Sequence, residues 1–319
     1  MTSVAIITRT KDRPVMLRRA LKSIAGQSFT DFDWVIVNDG GDSQLVEDII
    51  AAASISDLNI IIEHNQYSMG MEAASNIGLR ISKSKYVVIH DDDDTWEQDF
   101  LLRTVDFLEK NKQNGAVKGV VTRSMQVEEV IEKDEVVITR TKPYNPDLVA
   151  VNLFQIASLQ FIPPPISFLY SRETLDKIGH YREDLPVLGD WEFYLRFLRH
   201  YEIGVIPEYL ANYHLRIELL HGVYSNTVIA NTDTHKICAS RLRDELLRED
   251  LNKGVVGMGL IVNTANEFVR LRSEMQKESL MIRNELTKIN TSLSRINEII
   301  DKFSNSRFMK VLFKIFTVK

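Results

Sequence analysis

The first third of the chain alternates short apolar segments with stretches of helical periodicity, and this alternation limits the folds that are open to it. Each apolar segment has the length and composition of a buried strand, and a helical pattern follows it. Strands and helices that alternate through short connections favour a mostly parallel sheet covered by helices on both faces. The predicted strands are Val4–Ile7, Trp34–Val37, Asn59–Ile62 and Tyr86–Ile89.

The helices of this region begin and end at recognisable residues. Pro14 suits the first turn of a helix and Gly26 suits its end. Helical character also covers Leu45–Ala53, Met71–Ile81 and Phe100–Leu108. The sequence therefore predicts an α/β domain with a Rossmann-like sheet and flanking helices.

The middle of the chain is less regular. Val117–Val127 and Glu135–Thr141 predict a hairpin, Ile166–Tyr170 predicts a further strand, and Gly189–His200 predicts a helix. No GxGxxG motif follows the first strand, and the chain has no GxxxxGK(S/T) phosphate loop. These absences argue against a dinucleotide enzyme and against a P-loop protein.

Polar residues follow three of the predicted strands. Thr8-Arg9 follows the first strand, Asn38–Gly41 the second and His90–Asp94 the fourth. Ligands of open parallel sheets bind outside the carboxyl ends of the strands, so we expect these residues to share one rim. Taken alone, Asn38–Gly41 also has the composition of a simple turn.

The sequence HDDDDTW places four adjacent carboxylates at the end of a buried strand. In an extended segment Asp91 and Asp93 point the same way, as a hard divalent cation requires. Two carboxylates suffice for Mg²⁺ or Mn²⁺ when phosphate oxygens and waters complete the shell. The alternative is a solvated acidic loop in which Thr95 and Gln98 form a capping box for the next helix.

Charge and composition exclude several classes of protein. The net charge of −5 argues against general affinity for nucleic acid, and the histidines lack the spacing of metal ligands. The single cysteine, Cys238, rules out an internal disulfide framework and fits a reducing compartment. The opening MTSVAIITRTKDR lacks the features of a signal peptide, and no apolar stretch is long enough to span a bilayer. These features predict a cytoplasmic protein.

A seven-residue apolar repeat appears near the end of the chain and predicts a coiled coil that joins copies of the protein. Leucine and isoleucine at its two positions favour three or four helices over two. The alternative is a long helix packed back on its own domain. One heptad position is filled by Phe268, Met275, Ile282, Ile289, Ile296 and Phe303, and the other by Leu286, Leu293 and Ile300.

The last residues are basic and amphipathic. Phe308, Leu312 and Ile315 share an apolar side, with Lys310 and Lys314 opposite. Such a helix suits an anionic membrane surface, and it predicts a peripheral location on the inner face of the cell membrane. The alternative is a terminal helix that docks into a groove of the protein itself.

Four stretches resemble, in order and spacing, the glycosyltransferases of family 2, which have the GT-A fold. They are SVAIITRTKDRPVMLRRALKSIAGQSF, WVIVNDGG, HDDDDTW, which resembles the DXD motif, and PVLGDWEFYLRFL. The resemblance covers about residues 1–225. It implies a catalytic domain at 1–225. Beyond that point the resemblance ends, and the sequence pattern alone predicts a helical linker at 226–267, a coiled coil at 268–303 and a membrane-associating tail at 304–319.

The resemblance implies inverting, metal-dependent transfer of a sugar from a nucleotide-sugar donor, with UDP favoured, to a hydroxyl of a glycan or lipid-linked glycan. Such a reaction belongs to cell-surface polysaccharide biosynthesis. Asp190 would be the general base, although it could also simply cap the helix that follows it. Where family members often have an Ala-Arg-Asn run that contacts the diphosphate, this chain has Ala74-Ser75-Asn76, and Arg9 or Arg13 is the substitute. The other implied roles are base binding by Thr8 and Asp39, a ribose contact by Asp92 and cation binding by Asp91 and Asp93.

Two other functions remain as alternatives. An inactive scaffold of the same fold would be expected to lose Asp190 or the acidic run, and both are present. A sugar-nucleotide nucleotidyltransferase would share the α/β layout and the metal carboxylates. It usually has a glycine-rich phosphate loop after the first strand, where this chain has TRTKDRP.

Overall fold

The computed structural model describes residues 2–53, 58–133, 135–159, 161–217, 219, 222–226, 229, 232–254 and 257–304. The chain divides into two compact units, Met1–Asn263 and Thr264–Lys319. The first unit holds the sheet and its helices, and the described part of the second is helical throughout. The predicted boundaries at 225, 267 and 303 stay predictions.

The elements follow the order that the sequence predicts. In chain order they are β1 (Val4–Thr10), α1 (Pro14–Ala25), β2 (Phe32–Asn38), α2 (Ser43–Ala52), β3 (Asn59–His64), α3 (Met71–Ile81), β4 (Tyr86–Ile89), β5 (Thr95–Trp96), α4 (Phe100–Lys110), β6 (Val117–Glu132), β7 (Glu135–Pro143), α5 (Leu153–Ala157), a 3-10 turn (Pro165–Ser167), β8 (Phe168–Ser171), α6 (Thr174–Ile178), α7 (Gly189–Leu198), β9 (Glu202–Leu215), α8 (Thr232–Lys253) and α9 (Met258–Ser304).

Within the described residues the strands form one nine-stranded sheet in the order β3-β2-β1-β4-β8-β6-β9-β5, with β7 paired to β6. The pairs β1–β2, β1–β4, β2–β3 and β6–β9 are parallel. The remaining pairs are antiparallel, and they include the predicted β6–β7 hairpin. The predicted α/β fold with a mostly parallel sheet is confirmed.

The central strands read as unbroken apolar runs because helices cover both faces of the sheet. Ile6, Trp34 and Val88 are fully buried and belong to one apolar cluster with side chains of α1, α2 and α4. On the opposite face, Gly78 of α3 packs so closely on Ile7 that an added Cβ would overlap it. Each large buried side chain contributes roughly 1.5–3 kcal/mol relative to exposure.

The strand register brings the polar rim together. Thr10 pairs with Asn38 across β1 and β2, and Ile7 pairs with Ile89 across β1 and β4. The chain therefore leaves three neighbouring strands at the same edge of the sheet, as predicted. The described helices include none that is both long enough and apolar enough to cross a membrane.

The capping box suggested at Thr95 is wrong. Thr95 belongs to β5, and its hydroxyl lies 2.9 Å from Nε2 of His214. The following helix begins later, at Phe100, and its N-terminal flanking residue Asp99 makes no side-chain cap. Pairing of β5 with β9 replaces the local capping pattern, and the backbone N–H of Trp96 donates to the hydroxyl of Ser23 in α1.

Candidate active site

Two cavities lie at the rim beside the loop that follows β4. The larger has a volume of about 380 Å³ and is lined by Arg13, Asp39 and Asp93 among others. The smaller has a volume of about 190 Å³ and contains Asp190 in its wall. Asp91 lines both cavities, as do Arg9, Met71 and Tyr213. The two cavities are therefore adjacent.

Asp93 is the most strongly paired carboxylate of the acidic run. Its Oδ2 lies 2.7 Å from Nη2 of Arg13, forms an ion pair with Arg216, and is 3.4 Å from Nδ2 of Asn226. Burial by itself would raise the pKa of Asp93, but Arg13 and Arg216 hold it well below its usual range. Asp93 is therefore an anion in a positively charged setting.

Asp91 and Asp92 point to different partners. Oδ1 of Asp91 accepts a hydrogen bond of 2.9 Å from Nε of Arg9. Oδ2 of Asp92 accepts one of 2.8 Å from the hydroxyl of Thr10, and Oδ1 lies 2.8 Å from Nη1 of Arg13. Burial raises the pKa of Asp92 to about 6, although Arg13 opposes the rise.

Asp94 has a structural role. It is 1% exposed, and its Oδ1 accepts the backbone N–H of His214 at 2.9 Å. Burial, followed by the charge of Asp93, raises its pKa well above the usual value. All four consecutive aspartates line the larger cavity, but their carboxylates have different partners, which explains how one loop accommodates them.

A further buried carboxylate, Glu129, organises this environment from β6. Its Oε2 lies 2.6 Å from Nη1 of Arg19 and 2.7 Å from Nδ1 of His214, and its Oε1 lies 2.7 Å from Nη1 of Arg216. Burial would raise the pKa of Glu129, but hydrogen bonds from His214 and Arg19 lower it to about 2. The sequence analysis did not identify Glu129. The only feature that pointed to it was a charged residue within the alternating pattern of β6.

Asp39 fixes the loop that precedes α3. It accepts hydrogen bonds of 2.8–3.0 Å from the side chains of Asn65 and Ser68 and from the backbone N–H groups of Met69 and Gly70. Burial would raise its pKa, but these hydrogen bonds, that of Met69 first, lower it. Asp39 remains 7% exposed and lines the larger cavity, so it contributes to the wall where the base is predicted.

Thr8 lies away from the cavities, contrary to what its predicted role requires. It is fully buried, and its hydroxyl accepts a hydrogen bond of 2.9 Å from Nε1 of Trp34. Because successive side chains of a strand alternate between faces, Thr10 reaches the same side of β1 as Thr8, and it lies nearer the rim. Thr10 is the threonine that lines the larger cavity.

Asp190 lies in the first turn of α7 and lines the smaller cavity. The N-cap of this helix is Leu188, so the suggested capping role of Asp190 is wrong. Its Oδ1 instead accepts the backbone N–H of Trp191 at 2.7 Å. Burial raises the pKa of Asp190, and the hydrogen bond from Trp191 opposes the rise. A carboxylate with a raised pKa is suited to accept a proton.

The donor atoms at the larger cavity suit a divalent cation that is completed by phosphate. Asp91 and Asp93 offer carboxylate oxygens, which hard cations prefer. Their described contacts use Oδ1 of Asp91 and Oδ2 of Asp93. Among the residues that the structure describes, no group of three or more His, Cys, Asp or Glu side chains is arranged to hold a metal by itself. Asp91 and Asp93 would therefore supply only part of the coordination shell of a bound cation.

The sheet, the carboxylates at its rim and the paired cavities define a glycosyltransferase of the GT-A type. The chain belongs to glycosyl transferase family 2, whose model matches residues 3–179. It is therefore a transferase, as the resemblance of its motifs predicts.

Curated relatives agree with this family. An uncharacterized glycosyltransferase of Methanocaldococcus jannaschii is 24% identical over 214 residues, which cover 66% of this chain and 70% of that protein. The GalNAc(5)-diNAcBac-PP-undecaprenol beta-1,3-glucosyltransferase of Campylobacter jejuni is 33% identical over 95 residues, which cover 30% of each chain.

Solved structures confirm the GT-A fold. S. aureus TarS 1-349 in complex with UDP-GlcNAc is 19% identical with a TM-score of 0.54, and the match covers 67% of this chain and 59% of that one. The mannosyltransferase PcManGT from Pyrobaculum calidifontis, in complex with GDP-Man and Mn²⁺, is 16% identical with a TM-score of 0.54. That match covers 83% of this chain and 69% of the other.

Proposed function

We propose that this protein transfers a sugar, with inversion, from a nucleoside-diphosphate donor to a hydroxyl group of a glycan. The observation that carries the proposal is the pair of adjacent cavities that share Asp91. One cavity has the charges that a diphosphate requires, and the other has a buried carboxylate suited to act as a base. A donor and an acceptor would meet between them.

The larger cavity would bind the donor. Arg9 and Arg13 supply positive charge beside the carboxylates, and one or both would replace the arginine that is missing at Ala74-Ser75-Asn76. Asp39 would lie near the base and Asp92 near the ribose. The UDP-GlcNAc of TarS and the GDP-Man of PcManGT support a nucleotide-sugar donor, and we favour UDP.

Asp91 and Asp93 would hold Mn²⁺ or Mg²⁺ together with the diphosphate of the donor. The cation would neutralise charge that develops on the leaving group. Arg13 and Arg216 keep Asp93 ionised, so that its carboxylate is available as a ligand at neutral pH. The Mn²⁺ in the PcManGT complex supports this assignment.

Asp190 would deprotonate the hydroxyl of the acceptor. It lines the smaller cavity, and its raised pKa makes it a better proton acceptor than a solvated aspartate. A single carboxylate on the acceptor side is sufficient for direct displacement with inversion. Because the name of the Campylobacter relative includes an undecaprenol-linked glycan, we favour a lipid-linked acceptor in surface polysaccharide synthesis.

The final helix would join copies of this chain. The described apolar residues of the heptad repeat, from Phe268 to Ile300, are each 51–70% exposed. Their burial against partner helices would contribute on the order of 1.5–3 kcal/mol per side chain. Glu278 and Arg283 flank this seam. In parallel coiled coils, opposite charges at such flanking positions pair between the helices, so Glu278 of one copy could pair with Arg283 of another. We therefore propose that the partner is a second copy of the same helix. The side chain of Phe303 lies outside the described residues.

The basic tail would place the enzyme at a membrane. Residues 305–319 lie outside the described residues, so this proposal depends on their sequence alone. Each basic residue would add about 1 kcal/mol at an anionic surface, and several tails on one oligomer would strengthen the attachment. We therefore propose a peripheral location on the inner face of the cell membrane.

Binding of nucleotide sugars tests the donor site. A thermal-shift panel should give stabilisation by one donor that increases with Mn²⁺, and calorimetry should then measure its affinity. Asp91→Asn keeps an acceptor for Arg9 but loses the charge, so metal-dependent binding should fall. Asp99→Asn, an exposed change outside both cavities, is the matched control. Equal affinity in both variants would contradict the metal assignment.

Turnover tests the base. Asp190→Asn keeps the shape of the side chain but cannot take a proton, so turnover should fall roughly 100-fold or more. The affinity for the donor should be unchanged because Asp190 lies in the other cavity. Normal turnover by this variant would mean that another carboxylate is the base.

A further inference from the structure

Glu72 is a buried carboxylate in the first turn of α3. It is 6% exposed and lines the smaller cavity. Burial raises its pKa to about 7; Arg9 opposes the rise, and Asp190 and Asp91 add to it. Burying a carboxylate is unfavourable unless partners stabilise it, so the contacts of Glu72 indicate which groups it stabilises in return.

These contacts connect the acidic loop after β4 with the turn that precedes Asp190. Oε2 of Glu72 lies 3.4 Å from Nη1 of Arg9, whose Nε donates to Asp91 at 2.9 Å. On the other side, the carboxylate of Glu72 packs directly against the backbone of Gly189. A Cβ added at Gly189 would overlap this carboxylate, so the close approach requires glycine.

The turn that Glu72 contacts has an unfavourable backbone. Leu188, the N-cap of α7, has a φ of 66° and lies in the left-handed region. A branched apolar residue rarely adopts this conformation, and it persists only where the surrounding contacts maintain it. Leu188 and Gly189 directly precede Asp190, so this turn determines where the carboxylate of Asp190 lies.

We propose that Glu72 is a positioning residue for Asp190. Its carboxylate holds the Leu188–Gly189 turn in place and links it through Arg9 to the donor side of the site. The inference rests on the proposed role of Asp190 as the base. Because the decisive contact is the packing of the carboxylate on Gly189, glutamine, which has the same shape, can replace glutamate here, whereas alanine cannot.

The test measures release of nucleoside diphosphate from the donor selected by thermal shift, with water as the acceptor. Glu72→Ala should lower kcat by about 10- to 100-fold, the range expected for a reacting group displaced by about 1 Å. The Kd of the donor should change by less than about twofold, because the Asp91–Arg9 contact remains. Glu72→Gln should keep kcat within about threefold, since a side chain of the same shape packs on Gly189 in the same way.

A second change distinguishes positioning from a general loss of structure. Leu188→Gly removes the penalty of the left-handed backbone, so kcat should partly recover when it is combined with Glu72→Ala. Glu183→Ala is the matched control, because Glu183 also contacts α3, through Asn76, and lies outside both cavities. Should Glu72→Ala fail to fold, Gly189→Ala displaces the same carboxylate and should lower kcat similarly.

The outcomes separate this inference from the proposed function. If Asp190→Asn has normal turnover, the base assignment fails. If Asp190→Asn is inactive and Glu72→Ala keeps its kcat, only the positioning role is refuted. An equal loss in Glu72→Ala and Glu72→Gln, without recovery by Leu188→Gly, would also refute it.

Discussion

Replacement of Glu129 by glutamine should strongly destabilise the first unit, Met1–Asn263, although the two side chains have nearly the same size and shape. The carboxylate is completely buried, and Arg19, His214 and Arg216 lie 2.6–2.7 Å from it. Arg216 is itself 1% exposed. Glu129→Gln would leave these groups without their shared anion, and breaking a buried ion pair costs about 3–5 kcal/mol.

The pKa of Glu129 gives a second way to assess how much its ionised form contributes to the free energy of unfolding. This pKa falls from the usual 4.5 to about 2, and each pKa unit corresponds to about 1.36 kcal/mol, so the ionised form contributes on the order of 3 kcal/mol at pH 7. Because the folded-state pKa is depressed, this stability is present above pH 4.5 and is lost as the pH falls towards 2. The linkage relation predicts that on the order of 1 kcal/mol remains at pH 3.

Urea denaturation at pH 7 and pH 3 measures this effect. Tryptophan fluorescence reports only on the first unit, because Trp34, Trp96 and Trp191 all lie there. The matched control is Glu128→Gln on the same strand, since Glu128 pairs with the partly exposed Lys142 and such pairs contribute about 0–1 kcal/mol. A loss below about 1 kcal/mol for Glu129→Gln, or a loss independent of pH, would refute the reasoning.

Three further predictions follow from other parts of the chain. Asp39→Ala removes four hydrogen bonds that fix the loop before α3, so the free energy of unfolding should fall by on the order of 3 kcal/mol. The affinity for the donor should also weaken, and calorimetry that shows unchanged affinity would contradict a role of Asp39 in donor binding. Ile289→Asp should dissociate the oligomer, as measured by sedimentation, whereas Thr287→Asp, outside the heptad seam, should not. A wild-type protein that sediments as a monomer would refute the coiled coil. Removal of residues 305–319 should abolish binding to anionic liposomes without changing the oligomer mass, and retained binding would show that the tail is not the anchor.

The sequence was sufficient for the elements of the fold because their signals are local. Periodicity and end residues predicted α3 at Met71–Ile81 and β4 at Tyr86–Ile89, and the structure has both bounds. The general rule for parallel sheets then predicted the shared rim. Local capping patterns gave wrong predictions at Thr95 and Asp190. Thr95 belongs to β5, which pairs with β9, and the N-cap of α7 is the left-handed Leu188.

Only the tertiary structure decided how the charges of the site are paired. The partners of Asp93 and Glu129 lie far away in sequence: Arg216 is 123 residues from Asp93, and Arg19 is 110 residues from Glu129. No periodicity links such distant residues, because packing of β6, β9 and α1 brings them together. The same long-range packing buries Thr8 against Trp34 and places Glu72 against Gly189. The sequence could thus identify the acidic loop and the helix that carries Asp190, whereas the geometry that connects them depended on contacts made only in the folded chain.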